Sequence, residues 1–287
     1  MRFGLVQLFE AIIGKTGDAL PPNIGVHSKD CNDSQGELFG GFENFSYNIV
    51  EKDIAIAAGM HMETGIDFSD LPPEIFGFYE LSANAFGAIV YAWMSELPVT
   101  GQTIRFGKKI LAAKNTVTNN TGPTQRGKLE AAQRKAAGLA AADRGDFDVQ
   151  AVREAAYKVW HETNRLMGLL RFCPDEKGVY TAQCEPDHFV LPALGPHFME
   201  RFGGTPWAII DNRRRLSLCC KMGQTGAAGG TFEFSANAES PFSFEKGQGW
   251  ENLWRHYHKT INNESRNNPE LQKRFMPTRY WKYLTEM

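Results

Sequence analysis

No uninterrupted apolar run in this chain approaches the roughly 20 residues needed to cross a bilayer, and no small-residue cleavage site follows its first apolar stretch. The expected setting is therefore cytoplasmic, without a membrane partner. Cysteine is scarce: there are five, an odd number, with no C-x-x-C pair, and the adjacent Cys219 and Cys220 suit neither an easy disulfide nor a chelating turn. This argues against an internal iron–sulfur cluster or a structural zinc, and no cofactor is expected. The chain also lacks an excess of one charge, with 31 Lys and Arg against 33 Asp and Glu. Any affinity for a polyanion must then come from a local basic patch rather than the global field. There is no P-loop, dinucleotide fingerprint, G-x-S-x-G elbow or radical-SAM cysteine run. The Gly-rich stretch Gln224 to Gly230 lacks a following Lys and a helix start, and reads as a hairpin tip.

What is present is the make-up of an ordinary globular protein, with 42% hydrophobic and 22% charged residues over 287 positions. Phe3, Val6, Phe9, Ile12 and Ile13 predict an opening amphipathic helix, followed by a polar, Gly-rich connection from Asn32 to Gly41. A second helical candidate spans Val50 to Met62. Pro72 and Pro73 mark the start of a third, long and aromatic, carrying Ile75, Phe76, Tyr79, Phe86, Val90 and Trp93. From Thr116 to Asp146 large apolar residues are few, which predicts a mobile connection with marginal helix. Asp148 offers an N-cap for a helix through Leu170, with Val152, Ala156, Val159, Trp160, Met167 and Leu170 as its apolar stripe and Glu162 on the opposite face.

After Arg171 the pattern turns to short extended runs at VYTAQC, PWAIID, RRLSLCC and TFEFS, which predict a small antiparallel sheet with a turn at Asn212 and Arg213. A short helix is expected near Pro196. The C-terminal 40 residues return to helix, with Trp250, Leu253, Trp254, Tyr257 and Ile261 at helical spacing. Strands grouped between helical blocks give an α+β fold, mainly helical, with a small antiparallel sheet in the C-terminal half. The expected organisation is a helical region at 1–115, a flexible connection at 116–147 and an α+β region at 148–287.

Two constellations could carry chemistry. From Leu253 to Met287 cations interleave with aromatics, seven Arg or Lys against three Glu. Arg255, Lys259, Arg266, Arg274, Arg279 and Lys282 could contact phosphates, with Trp254 and Trp281 supporting stacked bases. The plainer alternative makes the aromatics core anchors and the cations a solvated rim. The second constellation is Arg165, Arg171, Glu185, Asp187, His188, His197, Arg201, Asp211 and Arg214. It could form an acid–base site, with Asp187 or His188 as acid or base, Glu185 beside them, and Arg165, Arg171 and Arg214 holding phosphate or substrate. A buried ion-pair network draws on the same residue types. No His pair here has a recognised metal-ligand spacing, so no metal site is expected.

The segment Glu162-Thr-Asn-Arg165-Leu-Met-Gly168-Leu-Leu-Arg171-Phe172 resembles the hallmark of a bacterial family of SAM-associated DNA metabolism or repair proteins, domain of unknown function 4130. The resemblance continues through Glu185-Pro-Asp-His188, Pro196-His197-Phe198, Arg201-Phe202, Pro206-Trp207, Asp211 and the block Arg274 to Glu286. It implies a DNA-repair context beside a radical-SAM protein similar to spore photoproduct lyase, and some such proteins carry a uracil-DNA glycosylase domain. No such domain is expected after Met287, and that activity is not carried over. Asn164 stands where the family commonly has a His, and an amide cannot titrate. The expectation is a DNA-binding accessory or processing protein. The alternatives are an enzyme acting on a nucleotide or damaged base, or a scaffold that docks the radical-SAM partner. Whether the chain is a catalyst stays open in the sequence.

Overall fold

The computed structural model describes residues 4–14, 72–117, 126–174, 178–221, 231–236, 248–263, 265 and 268–284. The Gly-rich connection, the helical candidate at Val50 to Met62, the Gly-rich stretch at Gln224 to Gly230 and Arg266 lie outside them. The fold is α+β. The chain divides into two compact units, one comprising Met1–Ile56 and Asp67–Tyr157, the other Ala57–Ile66 and Lys158–Met287. No helix among the described residues is long and apolar enough to cross a membrane.

The first unit is helical. Helix α1 (Leu5–Ile13) buries Leu5, Leu8, Phe9 and Ile12, an i, i+3, i+4, i+7 stripe. Gly14 ends it in the left-handed conformation at φ 85°, which glycine adopts without a Cβ clash. The long aromatic helix expected after Pro72 is two helices, α2 (Pro73–Leu81) and α3 (Ala83–Met94). Ser82 breaks the run because its extended backbone lets Oγ accept the Ala85 amide and cap α3. Phe9 stacks on Phe86 at 4.6 Å and meets Phe78 edge-on at 5.7 Å, joining α1 to both.

Helix α4 (Thr100–Thr116) approaches α1 closely, since Gly107 presents no side chain where Ile12 lies. Within the stretch read from sequence as a mobile connection, residues Arg126–Ala141 form helix α5, packed on α4 through the small buried residues Ala137 and Ala141. Its other residues are exposed or half-buried. Alanine's high helix propensity and a close interhelical approach stabilise it in place of large apolar side chains.

Helix α6 (Phe147–Leu169) starts two residues earlier than expected, because Asp146 rather than Asp148 caps it by accepting the Val149 amide at 3.0 Å. Asp148 instead forms a two-pronged pair with Arg105 at 2.8 and 2.6 Å. The buried stripe of α6 runs through Val149, Val152, Ala155, Val159, Glu162, Thr163, Leu166 and Leu170, while Trp160 is exposed. Glu162 therefore lies inside rather than on the polar face, and Trp160 outside.

The second unit holds a five-stranded sheet in the order β1 (Cys173–Pro174), β2 (Tyr180–Cys184), β3 (Trp207–Asp211), β4 (Leu216–Lys221), β5 (Thr231–Ala236). All neighbours run antiparallel except β2 and β3, which are parallel with Tyr180 opposite Trp207 and Cys184 opposite Asp211. The parallel pair arises because helix α7 (Leu191–Phe202) returns the chain between them. This helix begins five residues before Pro196, which sits inside it; Pro192 occupies the first turn, where a missing amide costs nothing. Phe198 and Phe202 of α7 meet Phe172, Tyr180 and Trp207 in one aromatic cluster. Helices α8 (Gln248–Ile261) and α9 (Pro269–Phe275) and a 3-10 turn at Thr278–Tyr283 complete the unit.

Candidate functional site

Parallel strands carry the segments that follow them to the same edge of a sheet. Here the loop after β2, Glu185 to His188, meets the turn after β3, Asn212 to Arg215. The turn is shaped by Asp211, whose Oδ1 accepts the amides of Arg213 and Arg214 at 3.0 and 3.1 Å. That folds Arg214 back so that its Nη1 pairs with Asp211 Oδ2 at 2.7 Å, with side chains 3% and 0% exposed. Its Nη1 and Nη2 also donate to the carbonyls of Pro186 at 3.1 Å and Asp187 at 2.8 Å. Burial pushes the Asp211 carboxyl above its ordinary value against the pull of Arg214.

The same loop is held from its other side. Glu162 of α6, 4% exposed, accepts the amide of Asp187 at Oε1 (2.9 Å) and that of His188 at Oε2 (2.8 Å). Its Oε1 also accepts the Tyr280 hydroxyl and Arg279 Nη2, the latter at 3.3 Å. A buried carboxylate is tolerated only with this degree of hydrogen bonding and a cation at hand. Loop 186–188 is thus fixed through its amides by Glu162 and through its carbonyls by Arg214. Both side chains are buried and are turned to the loop.

Five charged side chains remain at the surface of this network, Glu185, Asp187, Arg213, Arg279 and Lys282. Asp187, 44% exposed, pairs with Arg279 Nη1 and with Arg213 Nη1 at 3.3 Å. Glu185 Oε2 pairs with Lys282 Nζ at 2.6 Å. Although burial opposes it, the hydrogen bonds from Lys282 and Tyr283 hold the Glu185 carboxyl below its ordinary value. The Tyr283 hydroxyl, raised well above its usual range by burial, also accepts Asn212 Nδ2 at 3.1 Å. The 3-10 turn is itself anchored by Trp281, whose indole donates to the Met276 carbonyl at 2.9 Å.

Of the second constellation, Glu185, Asp187, His188, Asp211 and Arg214 come together. Arg165, His197 and Arg201 take no part in the hydrogen bonds just described. His197, on α7, lies edge-on to Phe198 at 4.9 Å, and its Nε2 is buried without a hydrogen-bond partner. Burial, with Arg201 nearby, lowers its pKa below the ordinary 6.5. Among the described residues no group of three or more His, Cys, Asp or Glu could hold a metal ion. Sequence reasoning missed Glu162 as a buried hub and left out Tyr280, Tyr283 and Asn212. The available signal for Glu162 and Tyr280 was their place inside the first and last blocks of the resemblance.

The C-terminal basic residues divide. Arg279 and Lys282 are engaged with the network, and Trp281 serves as an anchor. Arg255, Lys259 and Arg274 are exposed on α8 and α9. On α8 Trp254 is 39% and Tyr257 51% exposed, with ring centroids 5.7 Å apart. Arg171, whose Nη1 donates to the Gly168 carbonyl at 2.9 Å, sits over the Trp254 ring at 5.8 Å. Arg171 therefore belongs with the aromatic cations rather than with Asp187.

No curated protein and no solved structure matches the chain. The family model described as Domain of unknown function (DUF4130) matches residues 129–286, from within α5 through the 3-10 turn that closes on Glu162. Since that match takes in more than half of the sequence, the chain belongs to the DUF4130 family.

Proposed function

We propose that this protein binds DNA as an accessory or processing factor in DNA repair or metabolism, with α8 and α9 as the contact surface. The observation that carries this reading is the exposed Trp254–Tyr257 pair, with Arg171 over the indole and Arg255 and Lys259 exposed on the same helix. Aromatic faces support bases of any sequence, and neighbouring cations track the phosphates. A protein that used these rings only as core anchors would cover them. The resemblance in sequence adds a radical-SAM protein similar to spore photoproduct lyase as the partner.

The test is a fluorescence-anisotropy titration with single-stranded and duplex DNA over a range of salt. Binding is expected to fall steeply with salt. It should weaken further in the Arg255→Glu, Lys259→Glu double variant, whose thermal melt stays that of the wild type. Equal affinity in that variant removes α8 from the interface, and no binding at low salt rejects the reading.

A second reading is an enzyme acting on a nucleotide or damaged base, favoured by the position of Asp187 and His188 beyond the carboxyl end of a parallel strand, where α/β sheets place ligands. It requires turnover by the isolated protein that disappears in His188→Ala. Turnover that survives this change excludes His188 as acid or base.

A further inference from the structure

The last two basic side chains of the chain's described region are not free to meet a phosphate. Lys282 is held by Glu185 at 2.6 Å, and Arg279 by Asp187 and by Glu162 at 3.3 Å. We infer that Glu185 and Asp187 are internal competitors of phosphate: they occupy Lys282 and Arg279 in the free protein, and a nucleic-acid backbone gains those cations by displacing the carboxylates. This rests on the nucleic-acid reading above and adds what sets its affinity.

Three observations support it. First, both pairs stand open to solvent, with side chains 54% and 39% exposed for Lys282 and Glu185 and 43% and 44% for Arg279 and Asp187. Exchanging such a pair is cheap, since exposed ion pairs add little to stability. The Asp211–Arg214 pair, 0% and 3% exposed, cannot exchange in this way.

Second, the cations have other contacts that survive a change of partner. Arg279 lies over the Tyr280 ring at 4.8 Å and Lys282 over the Tyr283 ring at 5.0 Å. An arriving phosphate finds them already in position, and the carboxylates are the partners that leave. Third, the loop carrying those carboxylates is fixed by Glu162 and Arg214 through backbone groups alone. Asp187 can turn away by rotation of its own side chain, and Glu185 by the same rotation with loss of its bond from the Tyr283 hydroxyl.

The experiment measures anisotropy of a fluorescein-labelled oligothymidylate with wild type, Glu185→Gln, Lys282→Gln and the double variant across a salt series, with thermal melts to confirm folding. Glu185→Gln is expected to bind about three- to fivefold tighter at low salt, within what an exposed pair can withhold. Its salt slope should steepen by about 0.7, one further phosphate on a single strand. In the Lys282→Gln background the Glu185 change should give no gain. An equal gain in both backgrounds means that removing any negative charge suffices, and overturns the proposal, as does no gain in either. Asp187→Asn supplies an independent measure at the second pair and must shift affinity in the same direction. Wild-type binding with an unchanged slope in Glu185→Gln overturns the competition alone. Failure of every form to bind overturns the nucleic-acid reading with it, whereas binding by Glu185→Gln only supports the masking and rejects binding by the unaltered chain.

Discussion

The hydroxyl of Tyr280 donates to the carboxylate of Glu162, a residue 118 positions earlier in the chain and 4% exposed. This contact ties the C-terminal 3-10 turn to helix α6, and through the Glu162 carboxylate to the amides of Asp187 and His188. Tyr280→Phe keeps the buried ring and removes one donor. The expected loss is about 1–3 kcal/mol, the usual cost of leaving a buried polar group short of a partner. Urea unfolding checks it, and an unchanged midpoint would show that the tail does not depend on Glu162.

Arg214 and Asp211 form the most deeply buried ion pair described. Arg214→Met removes the cation and leaves the Asp211 carboxylate and the carbonyls of Pro186 and Asp187 short of donors. Breaking a buried pair from one side costs about 3–5 kcal/mol. Equilibrium unfolding should show this as a large downward shift in midpoint. A change below about 1 kcal/mol would be that of an exposed pair and inconsistent with the burial.

Gly107 marks a close approach of α4 to Ile12 of α1. A Cβ there would lie 2.6–2.8 Å from three side-chain carbons of Ile12. Gly107→Ala normally favours a helix by roughly 1 kcal/mol, but here overpacking should prevail and destabilise by about 1–3 kcal/mol. In an Ile12→Ala background the same change should cost less, because the side chain it meets is gone. A stabilised single variant would mean that the two helices separate at no cost.

His197 gives the protein a pH dependence whose sign is fixed by burial. Its folded pKa lies below the ordinary 6.5 because burial, first, and Arg201, second, disfavour the charged ring. Well above 6.5 neither the folded nor the unfolded chain binds this proton, so His197 adds no slope there. As pH falls below that value the unfolded chain takes up a proton that the folded chain resists, and stability declines until the folded pKa is reached. Thermal melts of wild type and His197→Gln between neutral and mildly acidic pH should diverge, the variant losing less on acidification. Parallel curves would place the imidazole in contact with solvent in both states.

The stops and starts of the chain were readable where a near neighbour sets them. Pro73 starts α2 at the expected place, and the stripe of α1 follows from spacing alone. Strands β2 to β5 were found at their positions because short extended runs bounded by turn residues leave few other conformations, whereas the two-residue β1 was missed because it is too short to show a pattern. The parallel pairing of β2 with β3 was not readable, since it depends on where α7 returns the chain. Ser82 shows the limit even for local signals: a serine inside an aromatic run reads as one polar residue in a helix until its backbone turns extended.

The sequence by itself determined the α+β class, the concentration of cations and aromatics after Leu253 and the family to which the chain belongs, all properties of residue type and order. Only the tertiary structure decided which charges are spent. Glu162 and Arg153 sit on the same helix and look alike in a helical pattern, yet one is buried as a hub and the other faces water. Lys282 and Lys259 are both terminal cations, but one is held by a carboxylate 97 residues away. A charge's role is set by the desolvation it suffers and the partners that offset it, and those partners are brought together by folding, not by proximity along the chain.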